Sequence, residues 1–153
     1  MPDFNDQYFD LLLEFKDKII IEVSAHDHYG DLRYHSNGDS SNKQFYHNLL
    51  VSPGLTPIDG SNPGVAFFEI DGTDLVPHSL KFLFLNLQTT YNLKQNTALP
   101  FHVVDIEKEF GLKDLTAPSL SAFKNKLEAD DKLTYRYMVA KIGFNPDNKA
   151  EYD

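Results

Sequence analysis

The chain contains no cysteine, which excludes disulfides, thiolate metal ligands and cysteine nucleophiles. That absence fits a reducing compartment. No Asn-x-Ser/Thr sequon is present, and no apolar run approaches the roughly 20 residues that a membrane-spanning helix needs. Basic residues are scarce. Fourteen Lys and Arg stand against 23 Asp and Glu, giving a net charge of −9, with most of the deficit in residues 1–100. Such a surface repels phosphate backbones, so nucleic acid is not an expected partner. It suits divalent cations, and it equally serves solubility. The opening residues, MPDFNDQYFD, lack the basic start and apolar stretch of a signal peptide. They read as an intracellular start or as an internal point in a longer precursor. Also missing are a phosphate-cradling glycine loop and a Gly-x-Ser-x-Gly elbow.

What remains is enough for a core. The 153 residues are 41% hydrophobic, with 12 Phe and 8 Tyr, and the length is that of one domain. Phe4, Tyr8, Leu11, Leu12 and Phe15 recur at helical spacing behind Asp3 as a cap. Residues 19–24 are mostly β-branched and predict a largely buried strand. Residues 25–44 are polar and predict a long loop, a feature usually functional or disordered in compact domains. Residues 46–52, 65–70 and 80–87 predict three more strands. In the last, Leu80, Phe82, Phe84 and Asn86 share one face and Lys81, Leu83, Leu85 and Leu87 the other, so an inner strand covered on both sides is expected.

Beyond residue 87 the pattern turns helical. Residues 88–100 predict a polar linker. Val103, Ile106 and Phe110 form a short helical stripe closed by Gly111. Pro118 and Ser119 open another helix, with Leu120, Phe123 and Leu127 inward. Asp130 or Asp131 caps a third, with Leu133, Tyr137 and Ala140 inward. The expected order is helix, four strands, then a helical appendix. The implied organisation is a first unit over 1–87, a linker over 88–100, a helical region over 101–144 and a charged tail over 145–153.

One constellation carries chemistry. Ala25-His26-Asp27-His28-Tyr29-Gly30-Asp31 directly follows a predicted strand, where two imidazoles can enter one cavity as ligands for zinc or another divalent transition metal. Asp27 or Asp31 can add a carboxylate or orient a histidine. The pattern alone is also met in surface histidines. His35 and His47 flank the long loop, while His78 and His102 sit near prolines at element ends. Asn62-Pro63-Gly64 shapes a turn.

In context, strand followed by Ala-His-Asp-His and Tyr-Gly-Asp resembles the final Gly-His-x-His motif of calcineurin-like metallophosphoesterases. Leu49-Leu50-Val51-Ser52-Pro53-Gly54-Leu55-Thr56-Pro57, Asn62-Pro63-Gly64-Val65 and Phe68-Glu69-Ile70-Asp71-Gly72 narrow this to acid sphingomyelinase-like phosphodiesterases. Residues 110–115, 119–127 and 130–140 are similar to that family's helical C-terminal region. The resemblance implies an α/β (α+β) fold, the C-terminal half of a metallophosphoesterase-type β-sandwich flanked by helices, with a helical appendix. It implies a dinuclear centre that hydrolyses phosphodiesters, with His26 and His28 each ligating one metal, and Asp27, Asp31 and Asn62 orienting ligands or shaping loops.

Two departures accompany it. Ala25 stands where the family has Gly, whose backbone freedom Ala lacks. The family's upstream Asp-x-His, Gly-Asp, Asn-His-Asp/Glu and isolated His are missing, and no histidine precedes His26. Two readings follow: part of a metal-dependent phosphodiesterase, inactive alone, or a non-enzymatic remnant serving as a subunit of a larger assembly. A self-contained mononuclear metal-binding protein ranks behind both. Each of the first two requires another protein chain over the exposed sheet face: the missing N-terminal half, a copy of itself or a larger assembly. The family is typically secreted or lysosomal, which the absent signal sequence, cysteine and sequon do not echo, so the compartment stays open.

Overall fold

The computed structural model describes residues 2–37, 44–58, 60–91 and 97–144. The expected tail over 145–153 lies outside them. Helix α1 (Pro2–Glu14) leads to a short strand β1 (Glu22–Ser24), then β2 (Asp31–Asn37) and β3 (Gln44–Val51). Next come β4 (Gly64–Ile70), β5 (Pro77–Leu85), α2 (Leu87–Tyr91), β6 (Phe101–Asp105), α3 (Ile106–Phe110), α4 (Ala117–Ala129) and α5 (Asp131–Lys141). The fold is α+β, with two three-stranded sheets and a helical C-terminal part.

The first sheet has the order β1-β3-β2, with β1 parallel and β2 antiparallel to the central β3. The second is an antiparallel meander, β4-β5-β6. Its inner face carries Leu80, Phe82, Phe84 and Val104, all fully buried, each large side chain contributing roughly 1.5–3 kcal/mol on burial. Helices α3, α4 and α5 cover that face and reach Leu50 of the first sheet, so one core joins both sheets. At its centre Phe110, Phe123 and Tyr137 meet edge to face or tilted, with ring centroids 5.2–6.1 Å apart.

The helix signals work as their chemistry dictates. Asp130 is the cap of α5, its side chain accepting from Lys132 N and Leu133 N at 2.9 and 3.1 Å. Asp105 caps α3, which stops at Gly111 in the left-handed region (φ 66°). Pro118 lies in the first turn of α4, where a missing N–H costs nothing. Helix α1 already includes Asp3, so the expected cap falls inside the first turn.

Several expectations are corrected. Residues 31–37, assigned to a long loop, form β2, because β3 supplies backbone partners from Asp31↔Val51 to Asn37↔Gln44. Only residues 22–24 of the predicted 19–24 strand pair with β3. The expected linker begins with α2, its first turn capped by Asn86, whose side chain accepts from Thr89 N; residues 92–96 lie outside the described ones. The stripe over 103–110 is strand then helix. Residues 101–105 pair with β5, and Val103, expected to point inward, is 49% exposed. There are thus six strands among the described residues, not four.

Strand β5 is central in its sheet, but among the described residues only one of its faces is fully buried. The opposite face presents Val65, Phe67, Leu83, Leu85, Phe101 and Val103 in register. Phe67 and Phe101 are each 57% exposed. A groove of about 320 Å³ runs along this face between Leu55, Val65, Leu85 and Phe101.

Candidate functional site

The histidine loop exists because β1 and β2 flank β3 on opposite sides. Ser24 and Asp31 both sit in register with Val51, so residues 25–30 must arch over the end of the central strand. The outgoing chain passes beneath: Ser52 N donates to Ser24 O at 2.8 Å. A strand-end crossing of this kind is where α/β folds place ligands.

Crossing in six residues demands unusual backbone angles. His26 (φ 94°) and His28 (φ 62°) both lie in the left-handed region, where a non-glycine residue costs about 1–3 kcal/mol. The surrounding structure has to enforce that. His26 is exposed and His28 half-buried. His28 Nδ1 lies 2.9 Å from Thr56 O, an acceptor only, so Nδ1 donates there and, in the neutral ring, the lone pair is on Nε2. That arrangement is the usual one for a metal-ligating imidazole. Gly54 allows it. A Cβ there would come within 2.7 Å of His28 Nδ1, and Gly64 N holds Gly54 O at 2.8 Å, tying this segment to β4.

The acidic neighbours are engaged elsewhere. Asp27 Oδ2 accepts from Arg33 Nη2 at 2.8 Å, and that hydrogen bond holds its carboxyl below the usual range. Asp31 is buried and accepts from Arg33 Nε (3.3 Å), Tyr137 OH (2.9 Å) and Lys141 Nζ (3.2 Å). Burial, and then the adjacent Asp31 charge, push the Tyr137 hydroxyl well above its ordinary value. Asn62, also buried, donates through Nδ2 to Gly143 O (2.9 Å) and accepts at Oδ1 from Leu87 N (3.1 Å). It joins the entry of β4 to the end of α5.

Of the other histidines, His35 pairs with Glu22 at 3.3 Å and lies against the Phe9 ring. The side chain of His47 lies outside the described ones. Sequence reasoning passed over one cluster. Asp71, Asp74 and His78 place a ligand atom each within 4.8 Å of one another, the one such group of three or more among the described residues. All three are exposed at the β4–β5 turn, and Asp71 Oδ1 accepts from Thr73 N and Asp74 N, the ordinary bonds of an Asx turn. The spacing Asp-x-x-Asp-x-x-x-His was its signal. His26 and His28 therefore bring no third ligand with them among the described residues.

No protein-family model matches the chain. Sphingomyelin phosphodiesterase 2 of Caenorhabditis elegans is 24% identical over 135 residues, covering 86% of this chain and 22% of that protein. The similarity is a distant relationship, and the chain spans about a fifth of the length of the curated relative it matches.

Proposed function

We propose that this chain is part of a phosphodiesterase-like protein, supplying His26 and His28 to a metal centre whose remaining ligands come from elsewhere. The observation that carries the reading is the His28 Nδ1 to Thr56 O bond, which leaves Nε2 available at a strand end. The distant relationship to a sphingomyelin phosphodiesterase supports the phosphodiester class of substrate. The residues fit zinc or a similar divalent cation in donor chemistry but not in number. Two imidazoles fill half of one tetrahedral shell. Bound cations would supply Lewis acidity toward a phosphodiester, while this chain's part is to hold two imidazoles in a fixed loop.

The partner in this reading is another protein chain over the open face of the β4-β5-β6 sheet. A second reading, a non-enzymatic subunit of a larger assembly, draws on the two carboxylates, Asp27 being paired with Arg33 and Asp31 with Arg33 and Lys141.

Calorimetric titration of the full chain with zinc tests the metal reading. Weak binding should appear in the wild type and vanish in the His26→Ala/His28→Ala double variant. An isotherm unchanged by the double substitution would refute it. Zinc-supplemented hydrolysis of a simple phosphodiester by the chain alone should be undetectable; turnover lost on His26→Ala would show instead that the site is complete.

A further inference from the structure

The histidine loop is held from the far end of the chain. Among the described residues, the backbone–backbone hydrogen bond made by residues 25–30 is Gly30 N to Lys141 O, at 2.8 Å. Lys141 makes two more contacts with the same stretch. Its Nζ lies 3.2 Å from Asp31 Oδ2 and 4.5 Å from the centre of the Tyr29 ring. One residue at the end of α5 therefore grips Tyr29, Gly30 and Asp31, the three residues that directly follow His28. Neither charge of the Lys141–Asp31 pair is free to hydrate, since their side chains are 13% and 12% exposed. A desolvated charge pair of this kind fixes geometry, because either partner moving away leaves the other uncompensated.

A second tier extends the grip. Tyr137, one turn earlier in α5, donates to Asp31 Oδ1 and accepts from Leu32 N at 3.1 Å. Arg33 then links Asp27 and the Tyr29 hydroxyl, at 2.8 and 3.1 Å, so both sides of His28 are anchored. Two left-handed histidines need such outside enforcement, because the loop's own backbone offers none.

We propose that Lys141 is a positioning residue for the histidine loop: by pinning residues 29–31 it holds His26 and His28 in their left-handed backbone geometry. The metal side of this inference rests on the reading proposed above, whereas the geometric side does not. The substitutions are Lys141→Met, which keeps the aliphatic stem and removes the charge, and Lys141→Arg, which restores it.

Two measurements on the full chain separate the possibilities. The first is metal-free: the Cα and Cβ chemical shifts of His26 and His28, which report φ. They should move toward ordinary extended values in Lys141→Met and return in Lys141→Arg, while the methyl shifts of Leu80 and Val104 stay put. The second is zinc titration, in which Lys141→Met should weaken binding about 10- to 100-fold, as loss of ligand-orienting partners does, with Lys141→Arg recovering most of it. If Lys141→Met does not fold, Tyr29→Leu, which removes the ring beneath Nζ, should move the same histidine shifts by less. Histidine shifts that stay unchanged in the folded variant overturn the inference, whether or not zinc binds. Shifts that move in a chain whose wild type binds no zinc uphold the positioning role and refute the metal reading alone. Where the wild type does bind zinc through these histidines, unchanged affinity in Lys141→Met would also overturn it.

Discussion

Gly143 offers a sharp test of how tightly the end of α5 is built into the core. Its φ is +85°, and a Cβ there would lie 2.5 Å from Phe84 Cδ1, 2.6 Å from Phe84 Cγ and 2.9 Å from Asn62 Cβ. Phe84 is fully buried and Asn62 is fixed by hydrogen bonds on both sides, so neither can retreat. Gly143→Ala thus meets two costs. The left-handed backbone costs about 1–2 kcal/mol, and the inserted methyl costs about 1–3 kcal/mol more by overpacking. The total, about 2–5 kcal/mol, is a large fraction of a typical domain's 5–15 kcal/mol. Gly60 is the control, with φ +78° and nothing within 4 Å of a Cβ. Gly60→Ala carries the backbone cost alone, and the smaller unfolded-state entropy of alanine offsets both variants alike. Urea denaturation at one fixed protomer concentration measures the difference. If Gly143→Ala loses no more stability than Gly60→Ala, the close packing of Gly143 on Phe84 is not as described.

The open sheet face and the buried tyrosine give two further expectations. Leaving ~400 Å² of apolar surface in water forgoes about 10 kcal/mol of burial, so the purified chain should self-associate or bind a hydrophobic dye. Phe67→Ser with Phe101→Ser should reduce both, and a wild-type monomer that binds no dye in sedimentation and fluorescence runs would count against a docking partner. Tyr137 has a raised folded-state value, so its neutral form favours the fold. The stability it contributes is complete below about pH 10, the unfolded value, and is lost as pH rises toward the folded one. Melting temperature should fall across that alkaline window in the wild type and less steeply in Tyr137→Phe; identical slopes would remove Tyr137 from the account.

Which elements were legible depends on whether their information is local. The alternation of Leu80, Phe82 and Phe84 marks β5 because a buried sheet face repeats every second residue, and Asp130 marks α5 because capping is a three-residue interaction. Strand β2 was hidden, since Leu32 and Tyr34 are its only apolar alternation and its stability comes from pairing with β3. Residues 101–105 misled for a different reason. Val103, Ile106 and Phe110 fall at helical spacing by coincidence, while the buried residue is Val104, in register with Phe82. At the candidate site, the histidines announced a strand-end loop, but no local pattern could reveal that Asp31 would meet Tyr137 and Lys141. Those partners are 106 and 110 residues away.

That separation has a consequence during synthesis. A ribosome must complete α5 before Lys141 can reach Asp31, so the nascent chain lacks this contact beside the histidine loop until residue 141 has emerged. Contacts of such long sequence span form late, after their closure entropy has been met by the rest of the core. The meander β4-β5-β6, built from neighbouring hairpins, can assemble well before. Translation that stops short of residue 141 would therefore release a chain able to pair its second sheet but lacking the Lys141 contacts to the loop over the first.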